Sequence, residues 1–409
     1  MQDETHNLDI KGDVLLTLRN PNAPFAVWGG DRGDPDAFST STSQHIGPKQ
    51  KKKAKKKKGK RASLDELHVT TEPPNDPPLH SDAPSIESQP AATDEPLPIV
   101  DDASTSTDLP VEYYPTTEDD PTGPSKIMLR LSSAHLRLAS PYFMKALSGT
   151  WKEASAGPDG LRHLHAEDWD KEGLLILMRI IHGRNRLVPR VMDVERLAKI
   201  AVLVDYYKCY EVVEPFAEIW RQAVEASLPV DVGRELVLHL FTSWVFRWQN
   251  IFEIVTSTAL EGCKEPLPIL GIPIPLPIIE MIDRQRREHI NQIMIVLRDL
   301  LGHFRDDRAP CSFECSSILL GALTKELYAR GLEPPPEPSY SGHSYASTRH
   351  AVSSIRSPKW YPTSSGSFGN REPHACDLAS IIQSKMGRLG PSRGLRLCDL
   401  LDHAPVYML

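Results

Sequence analysis

Two stretches decide how this chain folds: "GDVLLTLRN" at Gly12–Asn20 and "SKIMLRLSSAHLRLASPYFMKAL" at Ser125–Leu147. Val14, Leu16 and Leu18 fall on one face of the first, and Ile127, Leu129 and Leu131 repeat the alternation in the second. Period-two alternation of branched apolar residues predicts a strand in each, and the simplest arrangement is an antiparallel pair with a very long connection. Stretching a turn of about four residues to roughly a hundred costs roughly 3 kcal/mol, which two or three buried aliphatic side chains offset. Beyond the second strand, Ser132 or Ser133 is placed to cap a helix through "AHLRLA". Pro141 lacks an N–H, so that helix is expected to end near Ala139, and a second to start with Ser140 as cap and Pro141 at its first position.

Further along, "GLRHLHAED" at 160–168 reads as a weakly patterned third strand. "DKEGLLILMRIIHG" at 170–183 is a helix so apolar that it must be buried on several sides. Leu197, Ile200, Ala201 and Val204 carry helical spacing, and Pro215 is expected to break that helix and start the next. Helices then follow in "ELVLHLFTSWVFRWQNIFEIVTSTAL", "IIEMIDRQRREHINQIMIVLRDLLGHF" and "CSSILLGALTKELYARGL". The prolines of "EPLPILGIPIPLP" exclude helix and suit an extended segment packed on the surface. A low-complexity linker is expected at 333–374, and short helices around Leu378–Met386 and Leu395–Leu401 within 375–409. No period repeats across the helical region, so no solenoid is expected.

The order strand, strand, helix, helix, strand, helices, with Asp13 and Val14, "LRLSSAHLRLASPYFMKAL", "LLILMRIIHG" and "LAKIAVLVDYYKCYEVVEPFAEIW", resembles the BTB/POZ domain. "NPNAPFAVW", "ASPYF" and "WKE" resemble the type abundant in filamentous fungi. The resemblance covers roughly 120 residues in two pieces, 8–28 and 125–226. Ser132 stands where many family members carry a His. The resemblance implies an α+β fold, a small sheet capped by a cluster of helices, here split by a long insertion at 29–124 and followed by a mainly α-helical region at 227–332. It also implies a non-enzymatic interaction module, an adaptor or scaffold that homodimerises, binds co-repressors or brings substrates to a cullin scaffold. Leu131, Ala134, Leu138 and Phe143, around the first helices, are the interface candidates, with burial in the core as the competing explanation for each.

The 409 residues carry a formal charge of −7 and thirty-six prolines, and the prolines cluster. From Ala62 to Pro124 there is no Lys or Arg, and Asp, Glu, Pro, Ser and Thr dominate. Such a segment is expected to be disordered, since it cannot bury enough apolar area to offset its ordering entropy. The absence of a roughly 20-residue apolar run and the acidic, polar start "MQDETHNLDIKGD" point away from a membrane span or signal peptide. Six scattered cysteines suggest reduced thiols in the nucleus or cytoplasm.

Candidate chemistry is sparse. There is no G-x-S-x-G elbow, no phosphate-binding G-x-x-x-x-G-K-[ST] and no G-x-G-x-x-G after a strand, so no enzyme and no cofactor is expected. "SGHSYAS" brings Ser and His together, but in a segment expected to be too flexible for catalysis. Cys311 and Cys315 in "CSFEC", at i, i+4 on one expected helical face, have His303 upstream. Zinc wants four ligands, typically from two close pairs, and His374, Cys376, Cys398 and His403 lie beyond the linker. Semi-buried thiols without a metal are therefore the expectation, and Cys209 is expected in the core. Trp244, Phe246, Trp248 and Phe252 read as helix core or a partner groove rather than a ligand platform, and "DRQRREH" as the wet face of a helix.

Ten of the thirteen residues from Lys49 to Arg61 are Lys or Arg. Lys51, Lys52, Lys53, Lys55, Lys56, Lys57, Lys58, Lys60 and Arg61 fit a nuclear import signal read by an import receptor, which requires basic side chains held extended and exposed. The alternatives are an arm that neutralises phosphates and binds nucleic acid with steep salt dependence, or a solubilising charged loop. No aromatics interleave to stack bases, and the acidic segment that follows competes for the same lysines.

Overall fold

In the computed structural model the described residues are 4–29, 126–149, 151–306, 311–361, 374–390 and 392–401. The lysine block at 49–61 and nearly all of the 29–124 insertion lie outside them. Four strands form one mixed sheet: β1 (Glu4–Asn7), β2 (Val14–Arg19), β3 (Lys126–Leu131) and β4 (Arg162–Glu167), in the order β1-β3-β2-β4. β2 pairs antiparallel with β3, Leu16 opposite Leu129, so the two sequence-distant strands meet as the expected antiparallel pair. Val14, Leu16, Leu18, Ile127, Leu129 and Leu131 are all buried. β4 joins β2 in parallel, and β1 joins β3 in parallel. Nothing in the sequence pointed to β1: its residues "ETHN" have no apolar alternation, and it sits at the sheet edge with the Glu4 carboxylate accepting from Lys171 Nζ at 2.7 Å.

Gly12 precedes β2 where only a glycine fits, because a Cβ there would strike the Leu131 carbonyl. Helices α1 (Ser133–Ala139) and α2 (Pro141–Ala146) follow β3, and Ser140 Oγ caps α2 by accepting from Phe143 N–H at 3.1 Å. After β4 comes α3 (Lys171–Ile181), in which eight of eleven residues are buried, as a helix packed on several sides requires. α4 (Val194–Tyr207) ends at Lys208, which takes the left-handed conformation with φ 55°, and α5 (Tyr210–Glu225) begins two residues later. Pro215 therefore does not start α5; it sits inside it. The missing hydrogen bond is tolerated because Phe216, Ala217 and Trp220 are buried on the same helix.

The aromatic stretch expected to be one helix is two, α6 (Arg234–Val245) and α7 (Gln249–Gly262), broken at Arg247, whose φ is 57°. "EPLPILGIPIPLP" is non-helical up to Pro275 but reverses in a turn at Leu270–Gly271, and it is not merely superficial, since Leu267, Ile272 and Ile274 are buried. α8 (Leu276–Arg305), about 45 Å long at 1.5 Å per residue, follows. Then come α9 (Phe313–Ala329), α10 (Tyr345–Ser353), α11 (Leu378–Met386) and α12 (Leu397–Leu401). α10 falls within the stretch read as a linker. Its "SGHSYAS" is a capping box: Ser344 Oγ accepts from Ser347 N–H, and Ser347 Oγ accepts from Ser344 N–H.

Two buried clusters result, and α8 contributes to both. The first runs from Leu8 through the sheet and α1–α7 to Ile282, on both sides of residue 226, and also takes in Leu395, Leu397 and Leu400. The second gathers the C-terminal half of α8 with α9, α10 and α11. Arg286, in the charge run read as a wet face, is only 1% exposed. Its guanidinium donates to Asp283 and to the carbonyls of Ser339, Tyr340 and His343, fixing the turn before α10 onto α8. A planar five-donor group is the one side chain that can satisfy that fan of acceptors.

Candidate functional site

The α1–α2 hairpin is positioned by groups far away in sequence. Ser132, at the cap position of α1, makes no side-chain capping bond. Instead the Asp13 carboxylate, just before β2, accepts from the Ser133 N–H at 2.8 Å and the Ser133 hydroxyl at 2.7 Å, and also pairs with Arg162 of β4. Partial burial works against the charged form of Asp13, but the bonds from Ser133 and the Arg162 charge outweigh it and hold the carboxyl below its ordinary value. The Ser132 N–H donates to His182 Nε2 at 2.9 Å, while His182 Nδ1 lies 2.9 Å from the Met178 carbonyl. With one ring nitrogen accepting and the other donating, His182 is the neutral imidazole, and burial lowers its pKa in keeping. Thus β2, β4 and the end of α3 all converge on the first turn of α1.

Of the four interface candidates, Leu131 and Phe143 are fully buried, at 0% and 1% exposed, while Ala134 and Leu138 face solvent. Leu138 is 88% exposed, and downstream of it Met144 is 53% and Trp151 58% exposed. These three large apolar side chains lie on α1, on α2 and just beyond α2, the hairpin fixed by Asp13 and His182. Lone exposed apolar residues are ordinary, and such side chains make a docking surface only where they adjoin.

Beneath the hairpin, Tyr142, Phe143, Trp169, Tyr206 and Tyr207 pack together, Phe143 and Tyr207 stacked at 4.7 Å between centroids and Trp169 edge-on to Tyr206 at 5.2 Å. The cavity they line with Leu16, Leu164 and His165 is about 20 Å³. That is room for about one water, far below the ~300 Å³ of a small-molecule pocket. Burial raises the pKa of both Tyr206 and Tyr207, so their hydroxyls stay neutral. The signals for this cluster were "SPYF", "W" after β4 and "DYY", each unremarkable alone. Trp244, Trp248 and Phe252 are core, Trp244 6.2 Å from Phe252 across the α6–α7 turn. Cys209 is buried, which pushes its thiol up to about 12.

A second arrangement was discounted in the sequence. Cys311 and Cys315 do not share a helical face, because Cys311 precedes the α9 cap Ser312. Nor are His374 and Cys376 remote: the ligating atoms of Cys311, Cys315, His374 and Cys376 all lie within 4.8 Å of one another. Cys311 Sγ is 3.1 Å from His374 Nε2, and Cys315 Sγ is 3.9 Å from Nδ1. His303, Cys398 and His403 are not in this cluster; His403 lies outside the described residues.

Comparisons with protein families, with curated proteins and with solved structures give no match to this chain.

Proposed function

We propose that the chain is a non-enzymatic protein–protein interaction module, an adaptor or scaffold of the BTB/POZ kind, and that its α1–α2 face meets a second copy of the chain. The observation that carries this reading is the exposure of Leu138 and Met144 on a hairpin anchored by Asp13 and His182, with Trp151 exposed just beyond it. Apolar side chains carried on a backbone that is already fixed gain from burial without a further cost of ordering the hairpin. Two further features support it. The strand, strand, helix, helix, strand, helix order that underlies the resemblance runs through β2, β3, α1, α2, β4 and α3. The aromatic cavity beneath the hairpin is too small for a ligand of metabolite size. A cullin scaffold is the next occupant the resemblance implies, and the nucleus is the proposed site of action on the strength of the lysine block.

Crosslinking a mixture of isotopically light and heavy chains tests the face directly. Lys145 and Lys152 are both exposed beside it, and mixed-isotope crosslinks through them are expected if two copies meet there. Crosslinks confined to single chains contradict the reading.

The second reading, a nucleic-acid-associated regulator, rests on the density of basic residues at 49–61. Deleting Lys49–Arg61 separates the two. Lost nuclear accumulation with self-association intact is the expected result; lost salt-sensitive retention on DNA or RNA favours the arm instead.

A further inference from the structure

We propose that Cys311, Cys315, His374 and Cys376 bind a zinc ion in a closed, structural Cys3His centre that fastens the start of α9 to the segment entering α11. In a tetrahedral zinc site, bond lengths of about 2.3 Å to sulfur and about 2.0 Å to nitrogen set ligand–ligand edges of roughly 3.5–3.8 Å. The four donors here span at most 4.8 Å, a slightly open version of that tetrahedron, without any metal to draw them in. Six cysteines are spread through the chain, yet three of them come together with a histidine, and the two halves of the set are supplied by elements 59 residues apart. Cys315, His374 and Cys376 are each held by local bonds, so the convergence of the set is built into the fold.

That local structure is specific. Ser312 caps α9 by accepting from the Cys315 N–H at 3.3 Å, which sets Cys315 in the first turn and Cys311 just outside it. The positive end of a seventeen-residue helix therefore faces two of the thiolates, offsetting the net negative charge of three thiolates on a divalent ion. On the other side, the His374 backbone N–H donates to the Trp360 carbonyl at 2.9 Å, its ring Nδ1 accepts from the Cys376 backbone N–H at 3.1 Å, which leaves Nε2 for the metal, and the Trp360 and His374 rings stack at 3.9 Å between centroids, 17° from parallel. Such outer contacts are what orient a ligating imidazole. Thiolate-rich donors favour zinc over magnesium or calcium, and four protein ligands leave no open position for substrate, so the role is structural. Cys315 belongs to the second buried cluster, and Cys376 packs against it, so the ion closes a long loop around a small core. This inference does not depend on the proposed function.

The test uses the full chain, purified without chelators. Elemental analysis is expected to find about one zinc per chain, and replacement by Co(II) to give the intense d–d and sulfur-to-metal bands of a tetrahedral thiolate site. Cys311→Ser and Cys376→Ser are expected to lower bound zinc at least ~tenfold, while Cys398→Ser, outside the cluster, retains it. Should either variant fail to fold, the Co(II) spectrum of the unaltered chain still decides. Zinc well below stoichiometry with no Co(II) thiolate bands, iron in its place, or a disulfide among Cys311, Cys315 and Cys376 overturns the proposal.

Discussion

Glu326 shows how one side chain organises a whole corner of the molecule. Its carboxylate accepts from the Arg356 guanidinium at 2.6 and 2.8 Å, from the Arg356 N–H at 3.1 Å and from Arg330 at 2.6 Å, tying the end of α9 to the chain leaving α10. The bond from the Arg356 side chain is the main reason its pKa falls from 4.5 to about 2, overcoming desolvation. A carboxyl depressed in the folded state adds stability that is complete above the unfolded value of 4.5 and is lost as pH falls towards 2. Glu326→Gln removes that term. Urea midpoints of the two proteins are expected to differ most above pH 5 and to converge only as pH falls to about 2; a gap constant across that range contradicts the assignment. Arg286 teaches a related lesson about what a sequence can reveal. In "DRQRREH" it is indistinguishable from Arg284 and Arg287, because the carbonyls that demand it lie more than fifty residues away. The same holds for Asp13, whose partner Ser133 is 120 residues distant.

At the level of elements, legibility followed how local the cause was. β2, β3, α1 and α2 could be read because apolar alternation and a Ser-Pro pair act within a few residues. β1 could not, since its pairing with β3 is backbone hydrogen bonding that its polar side chains do not announce. Helix breaks were misplaced where a left-handed residue, Lys208 or Arg247, ended a helix without a glycine or proline to mark it. α10 was hidden inside a proline- and serine-rich stretch because serine, not glutamate, completes its capping box. The docking of α12 is a further case. Leu395 N–H donates to Thr256 Oγ1 at 2.8 Å and Leu397 N–H to Gln249 Oε1 at 2.9 Å, which seats the C-terminal segment on α7. Gly394 permits this approach, since a Cβ there would collide with the Glu253 carbonyl. Gly394→Ala is expected to lift α12 off α7, exposing Leu395, Leu397 and Leu400 at a cost of ~1.5–3 kcal/mol each, less the chain entropy regained. Hydrogen exchange at Leu395 and Leu397 reads this out: fast exchange in the variant is expected, and unchanged protection contradicts it.

At the scale of the whole molecule, two buried clusters share α8, and the chain closes each with segments distant in sequence. The first is closed by β2 meeting β3 across the 29–124 insertion, the second by α10 and α11 returning to α8 and α9. Fold class was legible because the sheet's inward residues carry their own pattern. The Cys–His cluster was not, because nothing local indicates that residues 59 apart will share a site. The hairpin face lies between these cases: α1 could be placed, but which of its apolar residues stay in solvent depends on how α3 and β4 pack beneath it. Leu131 and Phe143 went inward, and Leu138 did not. Light scattering on the full chain across a dilution series tests the central claim most directly. The account predicts twice the chain mass at high concentration, and the single-chain mass for Leu138→Asp combined with Met144→Asp, with thermal stability unchanged because neither side chain is buried. A chain that is monomeric throughout, or a dimer indifferent to both substitutions, contradicts it.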